Sequence, residues 1–471
     1  MGVGIVFIVG AGPGPGDLIT VRGLRALEKA DVVIADELLP RSFFDDLDLR
    51  MTGVLVIRRD DRDPALSQDE VNDLLVQHAL AEKTVVRLKG GDPGVFGRGW
   101  EEAERLSQQG IPWEIIPGLT AGTALPALAG LSLTHRGEAR SVALATGRLR
   151  EGELNVDLPR ADSLVLYMSV SALEALVRRL VADGWPEQTP VAVIERGGLE
   201  WERHLRGALS EIAGIAQQAR LQSPALIVVG EAARERVQRP TILFTGLDPA
   251  NFRTLGTLLH WPALEIAEAP DAAEQVQDAL DAARSAAALT VIFTSKMSAR
   301  VFFAAAGGQW ADLDLRSDLR IIAAGPGTAE LLRRHCVGDV TIPDVPGSEG
   351  IIRLLGEAER GHCVLIQGEQ ASEALEQELT GRFDSITRLS LHRAVTHPQL
   401  GEMPLPEHDA IYLTSPSGVR AYHERFGMAA FERGVLCIGE PTRAALRTLG
   451  IDAKVVHPGV SDESSETQPT E

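Results

Sequence analysis

Short apolar runs rich in Val and Ile alternate along this chain with longer stretches in which apolar residues recur at every third or fourth position. Such alternation marks an α/β protein with mostly parallel strands, because a parallel strand needs a long, usually helical, crossover to reach the next. Strands are expected at Gly4 to Val9, Val32 to Ala35, Val54 to Ile57, Thr84 to Leu88 and Trp113 to Ile116. Ser67 to Ala81 reads as a helix, since Ser67 with Glu70 three residues on has the spacing of a capping box. The charged stretch 231–240, EAARERVQRP, reads as helical up to Pro240, with a new strand at Thr241 to Thr245, and the main boundary is placed there. A weaker division at Pro117 and Gly118 splits the first half into two lobes, where an apolar strand gives way to small residues.

The second half repeats itself. The run VIFTS at Val291 to Ser295 is echoed by AIYLTS at Ala410 to Ser415, and IIAAGPGTAELLRRH at Ile321 to His335 by VLCIGEPTRAALRTLG at Val435 to Gly450. Each copy gives a strand ending in Thr-Ser at a helix start, then a strand, a Gly and Pro turn, Thr and a helix. Two similar lobes are expected, with ligand groups at strand ends and helix starts, where unpaired N–H groups favour anions. Simple helix capping is the competing reading for each hydroxyl.

Composition narrows the chemistry. Apolar residues make up 44% and charged residues 24% of the 471, ordinary globular usage. A prior of roughly 100–200 residues per domain gives three or four folding units. The formal net charge of −20 argues against nucleic acid or anionic lipid as partners, so an anionic substrate must meet a local basic pocket. Cys336, Cys363 and Cys437 are few and scattered; neither a disulfide framework nor a metal site is indicated, and a reducing cytoplasm fits. The apolar run Val3 to Val9 lacks the flank and cleavage pattern of a signal peptide and reads as a buried strand. No stretch approaches the roughly 18 apolar residues of a membrane span. The tail 461–471, SDESSETQPTE, reads as disordered.

The segment IVGAGPGPGDLITVRGLRAL sets Gly10, Gly12, Gly14 and Gly16 between a strand and a helix, and Asp36 closes the strand VVIAD. A Rossmann-type NAD or FAD oxidoreductase is one reading. Against it, the third glycine of that fingerprint falls on Pro15, and Pro13 and Pro15 lack N–H donors for a pyrophosphate. The string VVRLKGGDPGVFGRG at 85–99 places Gly90, Gly91 and Asp92 after a strand. Glycines there let a ligand approach the backbone, and Asp92 either binds a hydroxyl or ammonium group or caps the turn.

Together VGAGPGPGDLIT, ADVVIAD, VVRLKGGDPGVFGRG, IPGLTAG, LTHRGEARSV and LYMSV, in order, resemble uroporphyrinogen-III C-methyltransferase over residues 4 to about 235. The resemblance implies a two-lobed tetrapyrrole methylase, commonly a homodimer, that methylates uroporphyrinogen III twice to precorrin-2 with S-adenosylmethionine. Pro13, Gly90, Gly91, Asp92, Val95, Thr120, Ala121, Met168 and Gly197 fall at the family's cofactor contacts, with Ala225 of SPALIVVG added, and Asp36 at its proton acceptor. Where the family has a lysine after its third strand this chain has Arg58, which stays charged but is a poor proton donor. Arg98, Arg136 and Arg148 are candidates for the substrate's eight carboxylates, since guanidinium forks bind them bidentately; ordinary ion pairing is the alternative.

From Pro240 to about 460 the strings IFTSKMSARVFF, AAGPGTAELL, GSEGIIRLL, VLIQGEQASEALEQEL, YLTSPSGVRAY and CIGEPTRAALRTLG resemble uroporphyrinogen-III synthase. That family closes hydroxymethylbilane without a cofactor. Thr294, Ser295, Thr328, Ser415, Ser417 and Thr442 are the candidate substrate hydroxyls, and His392 stands where the family often has a tyrosine, either as an acid or as a structural histidine. The expected division is a methyltransferase at 1–238, with lobes 1–117 and 118–238, and a synthase at 239–460. In the synthase one lobe is 240–263 plus 397–460 and the other is 264–396. A synthase half that binds tetrapyrroles without catalysis is the alternative.

Overall fold

The computed structural model describes residues 2–40, 43–47, 55–57, 67–147, 157–234, 239–336, 338–356 and 359–457. Arg58, Arg148 and the tail 461–471 lie outside them. Among the described residues the strands form four sheets. The first runs, in spatial order, Leu55–Ile57, Val32–Ala35, Thr84–Lys89, Ile5–Gly10 and Trp113–Ile116, all parallel. The second runs Val142–Thr146, Ser163–Tyr167, Ala225–Gly230, Pro190–Glu195 and Arg203–Ala208; only its first pair is parallel. The chain as a whole is α/β with mostly parallel sheets, and this sheet is the exception.

The third sheet, wholly parallel, orders Thr257–His260, Thr241–Phe244, Ala410–Leu413, Gly434–Cys437 and Lys454–Val455. Between its second and third strands in chain order the chain builds the fourth sheet: Leu264–Glu268, Ser385–Thr396, His362–Gly368, Leu289–Phe293, Leu319–Ala323 and Val340–Thr341. There only the Leu264–Glu268 edge is antiparallel. The repeated strings occupy equivalent places. Ser295 and Ser415 each cap a helix, Lys296–Ala306 and Pro416–Phe426, accepting from the backbone N–H of Ser298 and Gly418. The following helices, Pro326–His335 and Glu440–Thr448, each carry Pro in their first turn.

Local signals held well. Ser67 and Glu70 form both halves of the capping box on the helix Gln68–Leu80. The start of the segment after Gly230 is a correction: Glu231–Ala233 form a 3-10 turn and Arg234 is extended, while residues 235–238 lie outside the described residues. Its charged, alanine-rich composition favours helix, but Ala232 and Ala233 are buried beside the second sheet's core and packing sets the local geometry. No helix among the described residues is long and apolar enough to cross a membrane.

Contacts around Trp201 join the second and third sheets. Trp201, fully buried, follows the loop after strand Pro190–Glu195 and shares a core with Leu243, Leu259, Trp261 and Ile411 of the third sheet. Its ring meets that of Trp261 edge-on at 5.1 Å, its backbone N–H donates to the His260 carbonyl at 2.7 Å, and the Trp261 indole donates to the Glu202 carbonyl at 2.9 Å.

Candidate functional site

The carboxyl ends of the central strands of the first sheet meet the second sheet across a floor of glycines. Gly10 and Gly118 approach so closely that a side chain on Gly118 would come within 2.3 Å of the Gly91 carbonyl and 2.7 Å of the Gly10 Cα. Gly12 and Gly91 bridge antiparallel, exchanging N–H to carbonyl bonds of 3.2 and 2.7 Å. Above the floor the backbone is open: a Cβ at Gly90 would touch only Leu38 at 3.6 Å, and one at Gly91 nothing nearer than 3.8 Å. Flat backbone facing free space is what a ligand can lie against.

Asp92 is the pin of this floor. Its Oδ1 accepts from the Gly94 N–H at 2.7 Å, and its Oδ2 from the Gly118 N–H at 2.9 Å. The turn-capping reading of Asp92 is therefore realised, and the same carboxylate ties two loops of the floor together. Thr120 stands at the N-cap position of the helix Ala121–Leu128 without a side-chain capping bond, and its hydroxyl is 2.6 Å from the Tyr167 hydroxyl. Tyr167 also accepts from the Gly122 N–H at 2.6 Å. Burial pushes the Tyr167 hydroxyl above the usual phenol range, so it keeps its proton. Met168 next to it is exposed with φ of 52°, and Phe96, one residue past Val95, lies 4.9 Å from the Tyr167 ring.

The proline-rich loop closes one side. Gly14 packs against Leu199 and Gly198, and Pro15 against Gly198, so Pro13 and Gly197 stand on facing segments. The Gly198 N–H donates to Glu202 Oε2 at 2.8 Å. Ala225, at the start of strand Ala225–Gly230, pairs with Glu195 two residues before Gly197. Pro13, Gly90 to Asp92, Val95, Thr120, Ala121, Met168 and Gly197 thus line one seam between the first two sheets. Asp36 follows strand Val32–Ala35 at the same carboxyl edge, half-buried, its N–H bonded to the Leu88 carbonyl at 2.9 Å.

Of the candidate arginines, Arg98 is exposed and bidentate to Glu101. Arg136 is exposed on the turn bridged by His135 and Ala139. Tyr167 was not singled out by sequence reasoning, although LYMSV contains it; its role depends on a strand of one sheet meeting a helix that follows the other. Replacing it with Phe strands the Gly122 N–H and frees Thr120. The expected cost is about 1–3 kcal/mol in thermal unfolding, with weakened S-adenosylhomocysteine binding by calorimetry. Unchanged stability and affinity together would remove Tyr167 from the site.

In the second half the hydroxyls form two sets. Thr294, Ser295 and Thr328 lie at the carboxyl edge of the fourth sheet, and Ser415, Ser417 and Thr442 at that of the third. Ser295 and Ser415 are helix caps, Thr294 Oγ1 donates to the Ile366 carbonyl at 3.0 Å, and Ser417 accepts from Arg420 at 3.1 Å. Thr328 and Thr442 are buried. Thr294 also lines a cavity of about 550 Å³ with Ser348, Gln367 and Ser372. His392, on strand Ser385–Thr396, bonds Ser298 Oγ at 3.1 Å, and Ser298 in turn meets Ser295. Burial pushes the His392 imidazole below its usual range, leaving it neutral at neutral pH.

A family model described as Tetrapyrrole (Corrin/Porphyrin) Methylases matches residues 6–213, and one described as Uroporphyrinogen-III synthase HemD matches residues 253–465. A siroheme synthase of Pseudomonas aeruginosa is 42% identical over 215 residues, covering 44% of this chain and 46% of the relative. One from Methylobacillus flagellatus is 39% identical over 216 residues, 45% of this chain and 46% of the relative. The chain thus spans about half the length of the curated relatives it matches. Uroporphyrin-III C-methyltransferase of Thermus thermophilus complexed with S-adenosylhomocysteine is 35% identical, covering 49% of this chain and 99% of its own, with a TM-score of 0.43.

Proposed function

We propose that this chain closes hydroxymethylbilane to uroporphyrinogen III and methylates that product twice to precorrin-2, a reading supported by the match of its first half to a tetrapyrrole methylase model and of its second to a HemD-type uroporphyrinogen-III synthase model. The reading includes S-adenosylmethionine as donor, a cytoplasmic homodimer joined through the methyltransferase half, and a domain division at 238/239. The observation that carries it is the open glycine floor at Gly90 and Gly91, pinned by Asp92 and walled by Thr120 and the Gly197 segment.

When bound, S-adenosylmethionine supplies an electrophilic sulfonium methyl. The chain's own work is then alignment and proton management. Gly90 and Gly91 offer backbone to the ligand, Thr120 is held for it by Tyr167, and Pro13 and Met168 bound the seam. Asp36, at the mouth, accepts at its carboxylate the proton that the cationic macrocycle loses from a ring nitrogen or meso carbon, since the methylated pyrrole carbon, already fully substituted, has none to give. Arg136 and Arg98 offer guanidinium groups to the substrate's carboxylates, Arg98 by exchanging Glu101 for one of them. In the second half, the hydroxyls and helix starts at the two sheet edges receive the bilane's carboxylates while the chain of pyrroles folds and water leaves.

Anaerobic incubation of the purified chain with hydroxymethylbilane, with and without S-adenosylmethionine, tests this by isomer-resolved chromatography and mass. Uroporphyrinogen III without the donor and a dimethylated product with it are expected. The type I isomer alone would sink the synthase half of the reading, and unmethylated uroporphyrinogen III the other half.

A further inference from the structure

Beneath the glycine floor lies a charged cluster that the cofactor and substrate contacts leave unexplained. Side chains two apart on a strand share a face, so Val85, Arg87 and Lys89 of strand Thr84–Lys89 point toward the helices Gln68–Leu80 and Gly99–Gln108, against which Val85 packs. Arg87 and Lys89 are 5% and 3% exposed. Both converge on one oxygen of the fully buried Glu102: Arg87 Nε at 3.1 Å and Lys89 Nζ at 2.8 Å, with the neutral Gln68 amide at 3.1 Å. The other oxygen of Glu102 has no partner among the described residues.

Two buried cations facing one carboxylate leave a positive charge over, and a buried charge without a counter-charge is costly. The strand register shows where the second negative charge stands. Ile34 pairs with Arg87 and Ala35 with Leu88; one step further along that register comes Asp36 beside Lys89, on the same face as Ile34 and Arg87, while the direct ion pair of the Lys89 ammonium is with Glu102. The remaining acids in the first turns of the two helices, Asp69, Glu70 and Glu101, are exposed. Burial first, then Arg87, push the Lys89 ammonium below the ordinary lysine range, while Glu102 and Asp36 act to hold it charged.

We infer that Lys89 is a positioning residue for methyl transfer: anchored from beneath by Glu102, its ammonium acts through space on the Asp36 carboxylate next in register and orients it at the mouth of the seam for the incoming proton. This rests on the reading of the first half as a methyltransferase. A purely structural network would stabilise the sheet without caring what stands at position 36. The inference instead makes Lys89 and Asp36 a coupled pair, with Arg87 and Glu102 as the fixed charges behind them.

Lysine-selective nitrogen NMR titration of the ligand-free full chain, which has only five lysines, reads Lys89 directly. Asp36→Asn and Glu102→Gln each remove a charge that keeps the ammonium protonated, so each is expected to move the Lys89 titration to lower pH. An unmoved titration in Asp36→Asn overturns the inference, whatever the enzyme does. In the kinetic arm, Lys89→Met is expected to lower kcat for methylation about 10–100-fold, the scale on which groups that orient a ligating or reacting residue act, with S-adenosylhomocysteine affinity unchanged. Glu102→Gln, nearly isosteric, should move the alkaline limb of the kcat profile to lower pH, and it carries the kinetic arm if Lys89→Met does not fold. Wild-type kcat in Lys89→Met, or an unmoved limb in Glu102→Gln, overturns the inference and leaves the methyltransferase reading intact. A wild-type chain that cannot methylate overturns that reading and the inference with it.

Discussion

Asp36→Asn is expected to lower methylation of uroporphyrinogen III by about 10²–10⁴-fold, the range typical of a lost general base, while leaving the fold and donor binding as they are. The substitution is close to isosteric. The backbone of Asp36 is fixed independently of its side chain, its N–H bonding the Leu88 carbonyl and its carbonyl accepting from Leu39. The carboxylate itself is half-buried at the carboxyl edge of a parallel sheet, where open α/β sheets gather their ligands. Amide for carboxylate removes only the ability to take a proton and to face Lys89. Initial rates under anaerobic conditions, paired with S-adenosylhomocysteine calorimetry, decide the matter. A rate within tenfold of wild type would mean that the proton leaves to solvent or to another group, and Asp36 would lose its assignment.

How far the site could be read from the string depended on the range of the interactions. Ser67 with Glu70 is a contact across three residues, and the capping box formed where its spacing placed it. Gly90 and Gly91 read in sequence as places where a ligand can approach the backbone, and the space above them is open, whereas the close approach of Gly118 to Gly10 and Gly91 depends on a second segment that the string does not bring near. The Ser residues at 295 and 415 carry both a capping and a ligand reading in sequence, and capping is what their bonds display. Arg98 answers to Glu101, three residues along a helix.

What escaped was set by tertiary partners. Lys89 and Glu102 are 13 residues apart and on different elements, yet they are each other's charge partners in the interior. Tyr167 looks like an ordinary strand-end residue until its sheet is set against the helix that begins at Ala121. The segment after Gly230 has helical composition, but at its start Ala232 and Ala233 are buried against the second sheet and Glu231–Ala233 form a 3-10 turn. In each case the deciding atom lies on an element that local pattern cannot bring near.

The same limit hides Trp201, and its removal should cause the largest loss of stability. Trp201→Ala is expected to cost about 3–5 kcal/mol, the usual figure for truncating a buried Trp. The residue is fully buried in a core shared with the third sheet, against Trp261 at 5.1 Å and His397 at 4.9 Å. Its indole N–H has no partner among the described residues, so Trp201→Phe keeps most of the packing and should cost far less. Neither variant removes a side-chain hydrogen bond, so the difference between them measures how much of the ring's packing the fold requires. The loop that ends in Trp201 also carries Gly197, and Gly198 and Leu199 wall the proline-rich loop. Loosening the anchor should therefore weaken S-adenosylhomocysteine binding as well as the fold. Calorimetric unfolding and ligand titration of the full chain read both effects. A Trp201→Ala chain that melts like wild type would show that the ring fills no essential space. One that melts early but binds the ligand normally would show that the seam is held by the first two sheets alone.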